Sequence, residues 1–557
     1  MNTLYYGDNL EILRRYIDNE SVDLIYLDPP FKSNQDYNVL FQEQDGSRSA
    51  AQILAFGDTW QWDITAAAAY REMVEKGGRL SEALQAFRRL VGDSDMLAYI
   101  SMMAPRLVEL RRVLKPTGSI YLHCDPTASH YLKLLMDAIF GPQNCRNEII
   151  WKRTFAHGGA SRWGDVHDTL LFYTKSDTYN WSRVMQAHDE SYLERKYRFS
   201  DERGKYRLVV LTGPGTTKGA SGQAWHGYDP TVGGRHWAVP GKALAILESE
   251  GVKIPSGLHD QLDLLYEHGL IRFPEKAGGK QGVPEFKMYL PAGQPIQDVI
   301  CDVYPINSQA QERLGYPTQK PTALLDRIVM ASSNEGDTVL DPFCGCGTAV
   351  ESAEKLGRNW IGIDITHLAI TLIKHRLNSA FGGKVEYKVI GEPVSLPDAQ
   401  ALAREDRFQF QYWALGLVGA RPTDPKRGAD QGIDGRLYFH DDNPATTKQI
   451  VISVKSGGIP PNHIRELRGV VDREKAAIGL LITLTKPTKP MRAEAADAGF
   501  YISPFGNTKH PRIQILTIEE LFEGKGIDCP RTDANVTFKR ARRVRQEPLK
   551  SGKLAFE

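Results

Sequence analysis

The chain has 557 residues, with 69 Lys and Arg against 68 Asp and Glu, and a formal charge of +1. That length is too great for one hydrophobic core and predicts two or three domains, while the near-neutral balance excludes a uniformly basic polyanion binder and confines contact with nucleic acid to local patches. Six cysteines with no regular pairing pattern, no apolar run long enough to span a bilayer and no secretory signal predict a reducing, cytoplasmic setting with no membrane contact.

The first strand with chemistry at its end is the apolar run from Val22 to Leu27, closed by Asp28-Pro29-Pro30-Phe31. The prolines fix φ and remove backbone donors, so the turn is stiff and its carbonyls face outward. A carboxylate, a rigid turn and an aromatic ring are the parts needed to methylate an exocyclic amine. The lone pair of the adenine amine is delocalised into its ring; hydrogen bonds from its N–H groups to Asp28 and the Pro29 carbonyl draw that pair back toward nitrogen, and Phe31 stacks on the base. An ordinary strand-ending turn would read the same way in isolation.

Further along, Gly118-Ser-Ile-Tyr-Leu-His123-Cys124-Asp125 reads as a buried strand, in which His123 and Cys124 are packing residues and not a base and nucleophile. Two stretches interleave cations with aromatic rings. Arg146, Lys152, Arg153 and Arg162 surround Trp151 and Trp163, and Arg195, Lys196, Arg198, Arg203, Lys205 and Arg207 alternate with Tyr192, Tyr197, Phe199 and Tyr206. Such patches suit phosphate neutralisation with base stacking, and equally a solvated charged face. Between about 176 and 310 the strand-helix alternation fails and Gly, Pro and aromatic residues crowd together, which predicts a loop-rich insertion holding one helix near Lys242–Glu248. Arg235, within Gly233-Gly234-Arg235-His236-Trp237, is a candidate for groove contacts or a structural residue.

The run Asp337-Thr-Val-Leu-Asp341-Pro-Phe343-Cys-Gly345-Cys-Gly347-Thr348, followed by Trp360-Ile-Gly-Ile-Asp364, reads as strand, glycine turn, helix and strand. Glycines at 345 and 347 allow close approach to a nucleoside, and an acid ending the next strand suits a ribose diol. Cys344 and Cys346 lack a second pair at zinc spacing and are expected to be turn residues, with no metal site.

Taken together, these segments resemble the amino-methyltransferases of DNA. Their order, catalytic motif first and cofactor motif later, is that of the permuted beta class, and the resemblance extends over most of residues 1–385. It implies an α/β, Rossmann-like methyltransferase dependent on S-adenosylmethionine and acting on double-stranded DNA; a homodimer is left open. It also implies that Asp8, in Tyr6-Gly7-Asp8-Asn9, lies near the cofactor adenine. Tyr316-Pro-Thr-Gln-Lys320-Pro321 and Asp341 would lie near its methionine end, and Asp364 at its ribose, with Phe343, Gly345, Gly347 and Thr348 completing the binding turn. Gly118–Asp125 resembles the family's inner strand beside the catalytic loop, and Asp168–Lys175 the strand closing the catalytic half. The insertion takes the place of the target-recognition region; Lys152 and Arg153 ahead of it and Arg235 within it are the DNA-contact candidates. The cytosine-N4 branch more often has Ser at the place of Asp28, so adenine N6 is the expected target and cytosine N4 the alternative.

Composition shifts near Pro393–Pro397, and a smaller α/β domain follows. An amphipathic helix around Glu405–Leu417, Asp434 at a strand start and Lys455 in the strand after it are similar to the Mrr-type, restriction-endonuclease-like domain. That pattern wants an acid or glutamine two positions before the lysine, where Ser453 stands, and a hydroxyl is a poor magnesium ligand. Magnesium held by Asp434 with help from Glu405 or Glu466 is one reading, which would make the protein a bifunctional restriction-modification enzyme. A non-cleaving DNA-binding relic and an unrelated packing domain are the others. The expected division is a catalytic half at 1–175, the insertion at 176–310, a cofactor half at 311–395, the nuclease-like domain at 400–530 and a basic tail at 531–557.

Overall fold

The computed structural model describes residues 1–30, 62–155, 162–274, 282–291, 293–307, 310, 312–314, 316, 318–423, 432–441, 447–504 and 507–530. Phe31 and the basic tail, expected to act in base stacking and phosphate contact, lie outside them. The chain forms two compact units, Met1–Ser182 with Gln297–Glu547, and Arg183–Ile296. The nuclease-like domain thus belongs to one unit with both halves of the methyltransferase-like part.

The centre of the larger unit is a nine-stranded sheet. Its strands are β1 (Asn2–Tyr6), β2 (Val22–Leu27), β3 (Leu114–Cys124), β4 (Cys145–Lys152), β5 (His167–Thr174), β6 (Val299–Ile300), β7 (Thr338–Asp341), β8 (Asn359–Asp364) and β9 (Tyr387–Ile390). They lie in the order β6-β4-β5-β3-β2-β7-β8-β1-β9, with β5 antiparallel to β3 and β4 and the other pairings parallel. Buried on both faces, β2 is continuously apolar except for Asp23, which salt-bridges Lys115 and accepts from Thr338 N.

Helices cover both faces. On one, α1 (Asn9–Tyr16), α2 (Asp95–Val113) and α3 (Pro126–Phe140) pack Leu13, Leu107 and Leu132 with Ile25, Leu27 and Leu122. On the other, α4 (Thr322–Ser332), α5 (Thr348–Lys355) and α6 (His367–Phe381) pack Leu325, Val350 and Ile373 with Leu24, Tyr26 and Tyr121. The helix starts follow ordinary capping chemistry: Asp8 accepts from Leu10 N and Glu11 N, and Asp125 from Ala128 N ahead of Pro126.

The helix expected around Glu405–Leu417 is α8 (Arg407–Leu417), capped by the Asp406 carboxylate, and a further helix, α7 (Leu396–Glu405), precedes it. The domain's five-stranded sheet runs β10 (Arg421–Pro422), β11 (Gly435–His440), β12 (Thr447–Lys455), β13 (Ile478–Thr483) and β14 (Ile513–Thr517) in spatial order. Helix α8 also lies against α6. Gln409 Oε1 accepts from His367 N at 3.4 Å, and a Cβ on Gly416 would stand 2.5 Å from Thr371 Oγ1, so only glycine lets the two helices approach this closely.

The smaller unit is ordered around Leu211, Trp225, Trp237, Leu247, Leu262 and Phe286. Its described residues form a four-stranded antiparallel sheet and three α-helices, Gly241–Ser249 at the expected place and, not expected from sequence, Glu190–Lys196 and Leu258–Glu267. Among the described residues no helix is long and apolar enough to cross a membrane.

Candidate active site at the carboxyl ends of the parallel strands

Side chains two apart on a strand share a face, and register carries that face across the sheet. Leu340 lies opposite Ile25, Asp341 opposite Gly362, and Asp364 opposite Tyr6. Asp28, Asp341 and Asp364 therefore rise from the same face at the carboxyl ends of β2, β7 and β8. This is also where the catalytic and cofactor halves of the sequence meet, because β2 pairs directly with β7.

The glycine turn wraps these acids with backbone donors. Asp341 Oδ1 accepts from Phe343 N at 3.1 Å; Asp364 Oδ2 accepts from Gly345 N and its Oδ1 from Thr366 N, each at 2.9 Å. Gly347 sits at φ +77°, and a Cβ there would meet Ile373 at 2.8 Å, so a side chain is excluded by both backbone and packing. Burial, with Asp28 and Asp364 nearby, pushes the Asp341 carboxyl well above the ordinary range; burial pushes Asp364 up to about 6.

Lys320 is not confined to the cofactor side, as its place before the glycine turn suggested. Its Nζ donates to Asp28 Oδ2, closing a contact across 292 positions of sequence. Asp8 is likewise committed: one oxygen caps α1, and the other pairs with Arg106 at 2.8 Å, while Asn9 Nδ2 donates to Pro342 O. Asp8 thus ties the start of α1 to α2, and Asn9 ties it to the rim of the glycine turn. Thr348 Oγ1 accepts from Arg376, whose buried guanidinium pairs with Glu351, and Phe343 packs its ring on the core.

Behind Asp28 runs a buried chain of polar groups that the sequence reading treated as strand packing. The Tyr26 hydroxyl lies 2.9 Å from His123 Nδ1, His123 Nε2 lies 3.2 Å from Asp168 Oδ2, and Arg153 lies 3.2 Å from Asp168 Oδ1. Burial opposes ionisation of Asp168, but the His123 hydrogen bond and the neighbouring Lys320 and Arg153 hold its carboxyl below the ordinary range. An ionised Asp168 only accepts, so His123 Nε2 carries the proton and Nδ1 accepts from Tyr26. The available signal was positional: Tyr26, Asp28, His123 and Asp168 fall on one face once β2, β3 and β5 are paired.

A family model described as "DNA methylase" matches residues 22–375, well over half of the chain and all of this site except the segment around Asp8. The chain belongs to that DNA methylase family. Type II methyltransferase M.EcaI of Enterobacter cloacae is 29% identical over 379 residues, covering 67% of this chain and 69% of that protein. The Mod subunit of the type III restriction-modification enzyme StyLTI of Salmonella typhimurium is 27% identical over 412 residues, covering 70% of this chain and 55% of the subunit. Residues 408–523 match a second family model, "NACHT-associated inactive Restriction Endonuclease 1".

The remaining candidates of this methylase fare differently. Lys152 is exposed on β4, whereas Arg153 is held by Asp168. Arg235 donates to Thr212 Oγ1 at 2.7 Å and to Thr212 O at 2.6 Å, the structural option left open from sequence. Asp434 Oδ2 accepts from Val454 N at 2.6 Å and from Ser453 Oγ at 3.1 Å, with Lys455 Nζ 3.8 Å away. Among the described residues no three His, Cys, Asp or Glu side chains gather as a metal site, and Glu466 is engaged with His463. Magnesium at Asp434 has no support.

Replacing Asp168 by Ala leaves His123 and Arg153 facing a buried gap. Removing one partner of a buried charge pair costs about 3–5 kcal/mol. Asp168→Ala is therefore expected to lower the denaturant midpoint of the full chain; an unchanged midpoint would show that the chain of polar groups carries no stability.

Proposed function

We propose that the protein transfers a methyl group from S-adenosylmethionine to N6 of adenine in double-stranded DNA in the cytoplasm. The observation that carries this reading is Asp28, set by the rigid Pro29-Pro30 turn at the same strand ends as the glycine turn and its acids. The residues present fit the cofactor. The glycine turn brings its backbone to the carboxyl ends of the strands, where Asp364 would accept from ribose hydroxyls and buried Asp341 would favour a ligand bearing positive charge. When bound, the cofactor supplies an electrophilic methyl group on a sulfonium.

The chain's own part is to prepare the amine. Asp28 and the Pro29 carbonyl accept its N–H groups and restore electron density to nitrogen, and Asp28 takes the proton that the methylated nitrogen sheds. A stacked base cannot reach a carboxylate in this pocket, so the target adenine must leave the helix, at a cost of a few kcal/mol. Asp at position 28 favours adenine over cytosine N4.

Asp28→Ala should reduce incorporation of labelled methyl groups into DNA by roughly 100- to 10,000-fold with cofactor affinity nearly intact. Transfer at the wild-type rate would refute the assignment. A fluorescent adenine analogue at the target position should brighten when the protein binds.

Asp364 gives the cofactor site a pH dependence. Its folded pKa of about 6 lies above the ordinary carboxylate value, so its ionisation costs the unliganded fold stability as pH rises toward and through about 6. A ligand donating hydrogen bonds to the ionised form offsets that cost. Calorimetry should show S-adenosylmethionine affinity falling as pH drops through about 6, and Asp364→Asn should flatten the dependence.

We read the C-terminal domain as non-cleaving, because Asp434 is occupied by the Val454 amide and the Ser453 hydroxyl. Full-length protein with magnesium should leave unmodified plasmid intact, and Asp434→Ala should leave methyl transfer unchanged. Magnesium-dependent nicking lost in Asp434→Ala would reverse this reading.

A further inference from the structure

Lys320 immediately precedes Pro321, the residue that starts α4, so its backbone is anchored by a rigid helix entry while its side chain reaches back to β2. The pair is mostly out of solvent, with 12% of the Lys320 side chain and 18% of the Asp28 side chain exposed. Solvent screening is therefore weak and the ammonium acts on the carboxylate at close range. Among the described residues, Tyr26 on β2, Tyr99 on α2, Cys124 on β3, Asp341 on β7 and Tyr316 before α4 also feel the charge of Asp28. Asp168, His123 and Arg153 stand behind them in their own chain of contacts.

We propose that Lys320 is a positioning residue for methyl transfer, holding Asp28 Oδ2 so that Oδ1 is presented to the target amine. This rests on the reading of Asp28 as the acceptor for that amine. Lys320 divides the labour between the two oxygens. A carboxylate with both oxygens unrestrained could turn about its Cβ–Cγ bond; one anchored by an ammonium presents a fixed acceptor.

The test is single-turnover methyl transfer at saturating S-adenosylmethionine, with cofactor affinity measured by calorimetry on the same full-length proteins. Lys320→Met should slow transfer by roughly 100-fold with cofactor affinity nearly intact, and Lys320→Arg, which keeps a cation within reach of Asp28, should restore most of the rate. A wild-type rate in Lys320→Met, a Lys320→Arg variant as slow as Lys320→Met, or a loss of cofactor affinity as the main effect would overturn the role and return Lys320 to the cofactor alone. Asp28→Ala, run alongside, separates the two levels. If that variant methylates normally, the reading of Asp28 fails; if it is dead while Lys320→Met transfers at the wild-type rate, only the role of Lys320 fails.

Discussion

Carboxylates brought together at the ends of neighbouring parallel strands repel one another, and burial raises the cost of charging each. Asp28, Asp341 and Asp364 are in this position because β2 pairs with β7 and β7 with β8. The backbone N–H groups of the glycine turn and the ammonium of Lys320 relieve part of the strain. What remains falls chiefly on Asp341, whose carboxyl burial pushes well above the ordinary range; under the proposed function a sulfonium would offset it. The cost carried by the unliganded pocket is the counterpart of its selectivity when filled.

The layout of this pocket was readable from sequence where local chemistry determines structure. Asp28-Pro29-Pro30 ends a wholly buried strand, Gly347 needs a positive φ, and Asp364 closes the next strand, each signalled by residue type and spacing. What depended on pairing distant strands was not readable. His123 belongs to an apolar run and reads as packing until β3 is set between β2 and β5, which puts Tyr26 on one side of its ring and Asp168 on the other. Lys320 lies near the glycine turn in sequence but against Asp28 in space. From sequence Arg153 and Arg235 are candidates for DNA contact, Arg235 equally for a structural role, and charge does not reveal that Asp168 and Thr212 hold them.

In the C-terminal domain Asp434 accepts from the Val454 amide and the Ser453 hydroxyl, beside the paired strands β11 and β12. The domain is joined to the larger sheet: α8 packs on α6, the helix that follows Asp364. Tyr6 shares this junction, stacked on His367 at 3.6 Å and raised in pKa by burial and by Asp406 and Glu405, so the back of the cofactor strand and the start of the added domain are in electrostatic contact.

The central claim is that the pocket methylates the exocyclic amine of adenine. Its most direct test is nucleoside analysis by mass spectrometry of duplex DNA incubated with the full-length protein and methyl-labelled S-adenosylmethionine. The account predicts label in N6-methyladenine; label in N4-methylcytosine, or none in DNA, would contradict it.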